Sequence, residues 1–270
     1  MRTSSRSTTE ASGKGPSKDR DASTVGSFAK GLAVIECFDA GSPRLSIADV
    51  SARTGLERAS ARRFLLTLAK HGYAEFDGKY FTLTPRVLKL GYAYLAATPM
   101  PSIIQRVIEP LSAEIGESLS ASTLEGDEIV YIARASHRHV MSISLTVGSR
   151  LPAYCTSMGR VLLAALPPEE AQKRLKLSQR RKLTPQTMTG IDEILRDLVE
   201  VRAQGYAVSD QELEAGLVSI AVPVANAAGK IVTSINCGSH TSRFSGADLI
   251  AKVLPKLLRA ASELRPMLVG

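Results

Sequence analysis

The sequence predicts an α+β protein in which a helix-turn-helix with a β-hairpin wing is joined by a linker helix to a larger α+β domain. Two short amphipathic helical segments meet at a glycine near residue 55, and an apolar stretch interrupted by Asp-Gly follows them directly. Beyond residue 116, short β-type segments alternate with helical ones. At roughly 100–200 residues per domain, a chain of 270 residues is long enough for two domains.

The first 26 residues are predicted to be a disordered tail. They are rich in Ser, Thr and charged side chains and lack an apolar period, so they cannot bury enough surface to order themselves. No apolar run approaches the roughly 18 residues of a membrane span, and no signal segment opens the chain. The three cysteines are far apart, which favours a reducing compartment and hence the cytoplasm.

The net charge of +8 is concentrated towards the N-terminus. Residues 27–90 hold ten basic and six acidic side chains, and residues 1–26 hold five and three. The rest of the chain carries +2, and without the six cations between Lys173 and Lys182 it would carry −4. This distribution favours a polyanionic partner, such as double-stranded DNA, at the N-terminal end, although a solvated surface would show the same bias.

Residues 27–83 are predicted to form a winged helix-turn-helix DNA-binding domain. A first helix is expected over Phe28–Phe38. Ser46 and Asp49 have the spacing of a capping box that opens a second helix, and Gly55 supplies the positive φ of a tight turn. The third helix is expected from about Arg58 to His71. Its buried side chains are predicted to be Ala61, Phe64, Leu65 and Leu68.

A β-hairpin is predicted directly after this helix, with a type I′ turn at Asp77-Gly78. In a winged helix-turn-helix the second helix of the motif enters the major groove and the wing rests on the backbone. The candidate DNA contacts are therefore Arg58, Ser60, Arg62 and Arg63 on the helix and Lys79 at the wing tip. For each arginine, a base contact, a phosphate contact and simple solvation remain alternatives.

Residues 84–98 are predicted to form the linker helix, with Thr84 as cap and Pro85 in the first turn. Its apolar side chains lie nearly all round: Val87, Leu88, Leu90, Tyr92, Tyr94 and Leu95. Such a helix indicates a dimer interface or burial against its own domain. Pro99 and Pro101 are expected to end it, and the next helix is expected over about Ile103–Ile115.

The α+β character of residues 99–270 comes from short strands interleaved with helices. The predicted strands are LSASTL, EIVYIA, MSISLTV, LVSIAVPV and KIVTSINC. Helices are predicted near Thr156, from Pro167-Pro168, and before Gly205. A last helix is expected to be capped by Ser245 and Asp248 and to run to Leu264 with a kink at Pro255.

Four segments together resemble the IclR family of bacterial transcriptional regulators, from Ser27 to the C-terminus. They are FAKGLAVIECF, the helix-turn-helix, RLPAYCTSMGRVLLA and GYAVSDQELEAGLVSIAVPV. Within the family they look most like the branch that controls aromatic-acid breakdown through the β-ketoadipate pathway. The resemblance implies a GAF-like effector-binding domain, homodimers or tetramers, promoter DNA, and RNA polymerase as a further partner. The implied effector is a small carboxylic acid of the β-ketoadipate, protocatechuate or 4-hydroxybenzoate class.

The resemblance also implies an effector pocket between the sheet and the helix after L-P-x-Y. The matching positions are Cys155, Thr156, Ser157, Met158, Leu217, Ser219 and Asn236. Thr156 and Ser157 lie where helix-start N–H groups accept a carboxylate. Ser219, Ser234 and Asn236 are polar residues in apolar strands and need partners if buried; capping and exposure are the alternatives. Ser209 stands where many relatives are acidic, so either Ser209 or Asp210 faces the pocket.

The predicted function is a ligand-responsive DNA-binding transcriptional regulator of aromatic-acid catabolism. The alternatives are an IclR-type regulator of a different carbon-source pathway and a ligand-independent DNA-binding protein. An enzyme would need Cys155 or Ser157 as nucleophile and a base from His137, His139 or His240. Neither a Gly-x-Ser-x-Gly elbow nor a phosphate-loop or metalloprotease motif is present, so no catalytic residue, cofactor, metal or membrane partner is expected.

Overall fold

The computed structural model describes residues 24–39, 41–137 and 145–268. They belong to two compact units, which divide between Ala93 and Tyr94. Helices interleave with the strands of two antiparallel sheets, and the predicted α+β fold class is confirmed. Within the described ranges, no helix is long and apolar enough to span a bilayer.

The first unit packs three helices on a small sheet. The helices are α1 (Gly26–Glu36), α2 (Ile47–Thr54) and α3 (Arg58–Lys70). The strands are β1 (Arg44–Leu45), β2 (Ala74–Phe76) and β3 (Phe81–Leu83), in the order β1-β3-β2. Ser46 and Asp49 form the predicted capping box, and Gly55 has the predicted positive φ of 68°.

The face of α3 that packs inward is narrower than predicted. Ala61 and Leu65 are buried, whereas Phe64 and Leu68 are half-buried. All four belong to one core with Val34 and other side chains of the helices and strands. The opposite face of α3 is therefore left exposed.

The wing turn is centred one residue later than predicted. Asp77 N–H donates to the Tyr80 carbonyl at 3.1 Å, so Gly78 and Lys79 are the two central residues. A type I′ turn needs positive φ at both central residues. Gly78 has a φ of 101°, but the φ of Lys79 is not positive. Asp77 instead accepts hydrogen bonds from the Lys79 and Tyr80 N–H groups, at 2.9 and 2.7 Å. The type I′ prediction is wrong because this side chain caps the turn.

The linker begins as a 3₁₀ turn, Pro85–Val87, and continues as α4 (Leu88–Ala97). Thr84 caps it as predicted, accepting from the Arg86 N–H at 3.3 Å. The next helix, α5 (Met100–Ile115), starts earlier than the predicted Ile103. Pro101 is tolerated there because the first turn of a helix needs no N–H donor.

The second unit is built on one antiparallel sheet of six strands in the order β6-β5-β4-β9-β8-β7. The strands are β4 (Ser118–Glu125), β5 (Glu128–Ala135), β6 (Arg150–Pro152), β7 (Ala207–Asp210), β8 (Leu217–Ala225) and β9 (Ile231–His240). The edge strands β6 and β7 are not among the predicted strands. The predicted strand over residues 141–147 lies outside the described residues in its first four positions, and its last three are not in a strand.

Helices cover both faces of this sheet. One face packs on α5 and on the C-terminal helix α10 (Leu254–Leu264). The other face packs on α6 (Ser157–Ala164) and α8 (Ile191–Gln204), and α7 (Pro168–Leu177) lies against α8.

The C-terminal helical run starts at the predicted capping box as α9 (Gly246–Asp248). A π-helical segment, Leu249–Val253, lies immediately before α10, next to Pro255 where the kink is predicted. Pro255 has no N–H for the carbonyl four residues earlier, so the helix widens just before it.

Candidate ligand pocket and nucleic-acid interface

The exposed face of α3 presents two adjacent arginines. Arg62 and Arg63 are exposed, as is Arg58 at the start of the helix, and Ser60 is half-buried at the edge of this face. Among the described residues, none of the three arginines forms an ion pair or a side-chain hydrogen bond. Their charges therefore remain available for an anionic partner.

Arg53, by contrast, is bound within the protein. Its guanidinium donates to the Cys37 carbonyl at 2.8 Å and to Asp39 at 3.0 Å. It also reaches Ser42 Oγ at 2.5 Å. This arginine holds the end of α2 to the chain after α1 and so has a structural role.

The wing tip carries a second pair of cations. The Nζ of Lys79 lies 5.0 Å from the centre of the Tyr80 ring, and the Cζ of Arg44 lies 5.2 Å from it. Arg44 also forms an ion pair with Asp77. The sequence reasoning missed Arg44, because only the pairing of β1 with β3 brings it to the wing.

In the second unit, a pocket lies between the sheet and the start of α6. Its cavity volume is about 30 Å³. The seven predicted residues all line it: Cys155, Thr156, Ser157, Met158, Leu217, Ser219 and Asn236. The structure thus brings together side chains that are up to 81 positions apart in the sequence, from Cys155 to Asn236.

The start of α6 is tightly built. Thr156 Oγ1 accepts from the Gly159 N–H at 3.2 Å and donates to the Pro152 carbonyl at 3.0 Å, so this hydroxyl serves as the helix cap. A Cβ on Gly159 would lie 2.2 Å from the Ala153 carbonyl oxygen, which is why only glycine fits. The first-turn N–H groups of Ser157 and Met158 have no intrahelical acceptor, and they add positive potential beside the pocket.

Hydroxyl groups join the start of α6 to the strands β7 and β8. Ser157 Oγ and Ser219 Oγ are 2.8 Å apart, and Ser209 Oγ donates to the Cys155 carbonyl at 3.1 Å. Ser209 is buried and lines the pocket, whereas Asp210 is exposed. Of these two neighbours, therefore, Ser209 faces the pocket.

The pocket also contains a cation that the sequence reasoning missed. Arg134 Nη1 donates to Ser120 Oγ at 2.9 Å, but its Nε is buried and has no hydrogen-bond partner among the described residues. Burial lowers the pKa of this guanidinium. Asn236 Oδ1 is likewise buried without a partner there. Buried polar atoms are nearly always bonded, so among the described residues these two atoms leave one donor and one acceptor of the pocket unused.

One signal in the sequence could have indicated Arg134. It directly follows the predicted strand EIVYIA, and a charged side chain there needs a partner if the strand extends over it. Its place beside the α6 start depends on the pairing of Ser120 with Arg134 between β4 and β5. That pairing is not visible in a strand pattern.

Burial disfavours the ionised forms of the thiol and the phenol in the pocket. Burial raises the pKa of the Cys155 thiol to about 12, and the same cause raises the pKa of Tyr131 to about 12. The thiol is therefore protonated near neutral pH, and the active nucleophile is the thiolate. The described residues that line the pocket include no histidine.

A buried ion network lies behind the pocket. Arg160 is 1% exposed and binds Asp197 of α8 at 3.0 Å and Glu212 at 2.6 Å. Its Nε donates to the Tyr154 carbonyl at 2.9 Å. Glu212 also accepts from the Met188 N–H at 3.0 Å. The network joins α6 and α8 to the loop that carries Leu213 into the pocket.

The basic run between Lys173 and Lys182 is partly absorbed by local structure. Arg174 pairs with Glu170 at 3.0 Å. Arg180 Nε donates to the Thr189 carbonyl at 3.1 Å, and Lys182 donates to the Thr187 carbonyl at 3.0 Å. These contacts hold the segment between α7 and α8 in place.

A helix-turn-helix with unpaired arginines, together with a separate domain that buries a polar pocket, defines a ligand-binding transcriptional regulator. Comparison with known protein families identifies the family of regulators to which the chain belongs. The profile described as "Bacterial transcriptional regulator IclR C-terminal" matches residues 92–265, and "IclR helix-turn-helix domain" matches residues 27–78. The chain belongs to the IclR family, and the resemblance seen in the sequence is confirmed.

Three relatives place the chain within the family. It is 43% identical over 245 residues to the Pca regulon regulatory protein of Pseudomonas putida, covering 90% of this chain and 84% of the relative. It is 38% identical to the p-hydroxybenzoate hydroxylase transcriptional activator of Acinetobacter baylyi, covering 89% and 91%. The solved inducer-binding domain of the Acinetobacter PobR transcription factor, a double mutant in complex with 3-hydroxybenzoic acid, is 35% identical. It aligns with a TM-score of 0.59 over 62% of this chain and 98% of that domain.

Proposed function

We propose that this protein regulates transcription of aromatic-acid catabolism by binding promoter DNA in its first unit and a hydroxybenzoate-class acid in its second. The single observation that carries the effector half is the half-buried guanidinium of Arg134, whose Nε has no partner among the described residues. The names of the Pca and p-hydroxybenzoate relatives, and the bound 3-hydroxybenzoic acid of the PobR domain, support the chemical class.

The effector carboxylate would bind between Arg134 and the start of α6. A guanidinium and two helix-start N–H groups are donors that recognise a carboxylate. Apolar side chains such as Leu151 and Leu213 would contact the ring. The remaining contacts would come from the seven predicted residues: Cys155, Thr156, Ser157, Met158, Leu217, Ser219 and Asn236.

The charge of the pocket favours a monocarboxylate over a dicarboxylate. Arg134 is the one cationic side chain among the described residues that line it. Burying a second carboxylate without a second cation is costly, because an ion loses its hydration when it is buried. We therefore favour 4-hydroxybenzoate or protocatechuate over β-ketoadipate.

In the DNA-binding half, α3 would enter the major groove with Arg58, Ser60, Arg62 and Arg63, and Lys79 would contact the backbone from the wing. Each arginine bound bidentately to guanine would contribute about 1–3 kcal/mol of discrimination. Cations that meet phosphate instead would position the protein and make binding salt-dependent.

The linker helix would join two copies of the chain. Leu88 is 73% exposed and Tyr92 70%, and Leu90 and Tyr94 are also exposed, so α4 offers an apolar surface to a partner copy. A dimer or tetramer would carry several DNA-binding units, and the effector would shift their relative placement. This regulator would act in the cytoplasm, with RNA polymerase as a further partner.

Isothermal titration of the purified protein with 4-hydroxybenzoate, protocatechuate and β-ketoadipate tests the effector half. 4-Hydroxybenzyl alcohol, which lacks the carboxylate, is the matched control ligand. We expect an aromatic acid to bind and to stabilise the fold by about 2.7 kcal/mol at 100 times its Kd, whereas the alcohol does not bind. If neither aromatic acid binds, the proposed effector class is wrong.

Selection of bound duplexes from a random DNA pool tests the other half. Wild-type protein should enrich a defined sequence, and the Arg62→Ala/Arg63→Ala variant should not. Enrichment of the same sequence by both proteins would contradict the assignment of α3 as the DNA-reading helix.

A further inference from the structure

Two buried serines continue the floor of the pocket beneath Met158. On the sheet, Ser120 of β4 lies opposite Asn236 of β9, and Ser122 lies opposite Ser234. Side chains alternate across a strand, so the second pair faces α6 as the first pair does. Ser120 and Asn236 line the cavity, and Met158 lines it from above. The Ser122–Ser234 pair is therefore the next row of the same polar surface.

These two hydroxyls have weak partners. Ser122 and Ser234 are both 0% exposed. Ser122 Oγ lies 3.2 Å from Met158 Sδ and 3.3 Å from Ser234 Oγ, and Ser234 Oγ donates to the Ser122 carbonyl at a long 3.5 Å. A thioether sulfur is a weak acceptor, so a buried hydroxyl that donates to it gains less than one that donates to oxygen. The pair would be better satisfied by a polar group placed between it and α6.

The size of the cavity requires a lining side chain to move. The cavity measures about 30 Å³, whereas ligand sites usually measure about 300–1,000 Å³. The α6 backbone is a poor candidate for this movement, because Gly159 is packed directly against Ala153. Met158 has three rotatable side-chain bonds and no branch, which makes it the most adaptable apolar side chain over the floor.

We propose that Met158 is a movable cover over an inner polar subsite, and that Ser122 and Ser234 bind the ring hydroxyl of the effector once Met158 swings aside. This inference rests on the proposed function, since it takes the carboxylate to be held at Arg134. It makes the subsite the determinant that distinguishes hydroxybenzoates from unsubstituted benzoate.

Titration of a ligand series into matched variants tests the subsite. In wild-type protein, 4-hydroxybenzoate should bind more tightly than benzoate. In Ser122→Ala/Ser234→Ala, loss of the hydroxyl contacts should weaken 4-hydroxybenzoate about tenfold and leave benzoate within about twofold. An unchanged ratio of the two affinities would overturn the proposal. Failure of the proposed function looks different, because wild-type protein would then bind neither acid.

A second measurement uses wild-type protein and does not depend on the stability of the double variant. The chain has six methionines, and methyl-¹³C labelling with Met158→Leu as the assignment variant identifies the Met158 resonance. Saturating 4-hydroxybenzoate should move this resonance further than saturating benzoate does. Equal shifts, or a Met158 signal that stays in place with both acids, would contradict a movable cover.

Discussion

Replacing Arg134 with methionine separates effector binding from folding. Met has a similar length and no charge, so the change removes the guanidinium and keeps most of the apolar volume. In the wild-type protein the Nε atom is buried without a partner among the described residues, and the guanidinium forms one hydrogen bond to them, from Nη1 to Ser120 Oγ. The unliganded protein therefore carries an incompletely paired cation.

The expected magnitude follows from this environment. Truncating one partner of a buried charge pair costs about 2–5 kcal/mol, and the lower end applies because Arg134 is half-buried. A loss of about 2–3 kcal/mol weakens binding about 30- to 150-fold, at 1.4 kcal/mol for each factor of ten. The unliganded variant should be as stable as wild type or slightly more stable, because the desolvated cation is gone.

Isothermal titration with 4-hydroxybenzoate and thermal unfolding without ligand measure the two effects. The matched control is Arg150→Met, since Arg150 lies on the neighbouring β6 and is already paired with Glu128 at 2.7 Å and Glu125 at 2.9 Å. The control should bind the acid as wild type does. Wild-type affinity in Arg134→Met would refute the carboxylate assignment, and so would equal losses of affinity in both variants.

Three further outcomes are expected. Arg62→Ala/Arg63→Ala should abolish a DNase footprint while effector affinity stays at the wild-type value; a retained footprint counts against α3. Gly159→Ala should lower the free energy of unfolding by about 3 kcal/mol in denaturant titrations, because its Cβ would overlap backbone at 2.2 Å; wild-type stability would show that the helix start can relax. The pKa of Asp248 is held below its usual range, first by Lys252 and then by the capping serine, so its ionised form stabilises the fold above about pH 4 and this stabilisation fades as the pH falls further. Asp248→Asn should therefore flatten the acid limb of stability measured by circular dichroism, and an unchanged limb would exclude this contribution.

Elements with short-range signals could be predicted from the sequence. The capping box at Ser46 and Asp49 and the positive φ of Gly55 lie where predicted, because caps and tight turns are decided by residues within a few positions of one another. The hairpin lies where predicted, but its turn is centred one residue later. The position of the turn depends on the side chain of Asp77, because this carboxylate accepts hydrogen bonds from N–H groups of the turn.

The features of the pocket also fall into those that the sequence predicts and those that need the tertiary structure. The sequence alone determined the class of fold, the end of the chain that carries the excess positive charge, and the motif around Ser157 that starts α6. Tertiary structure decided that Arg134 and Ser120 line this pocket, through the pairing of β4 with β5 and β9. The physical reason is that a strand pattern specifies which side chains share a face but not which strand lies beside it. The Arg134 Nε atom without a partner among the described residues, and the long hydrogen bonds of Ser122 and Ser234, become visible only once the packing around them is known.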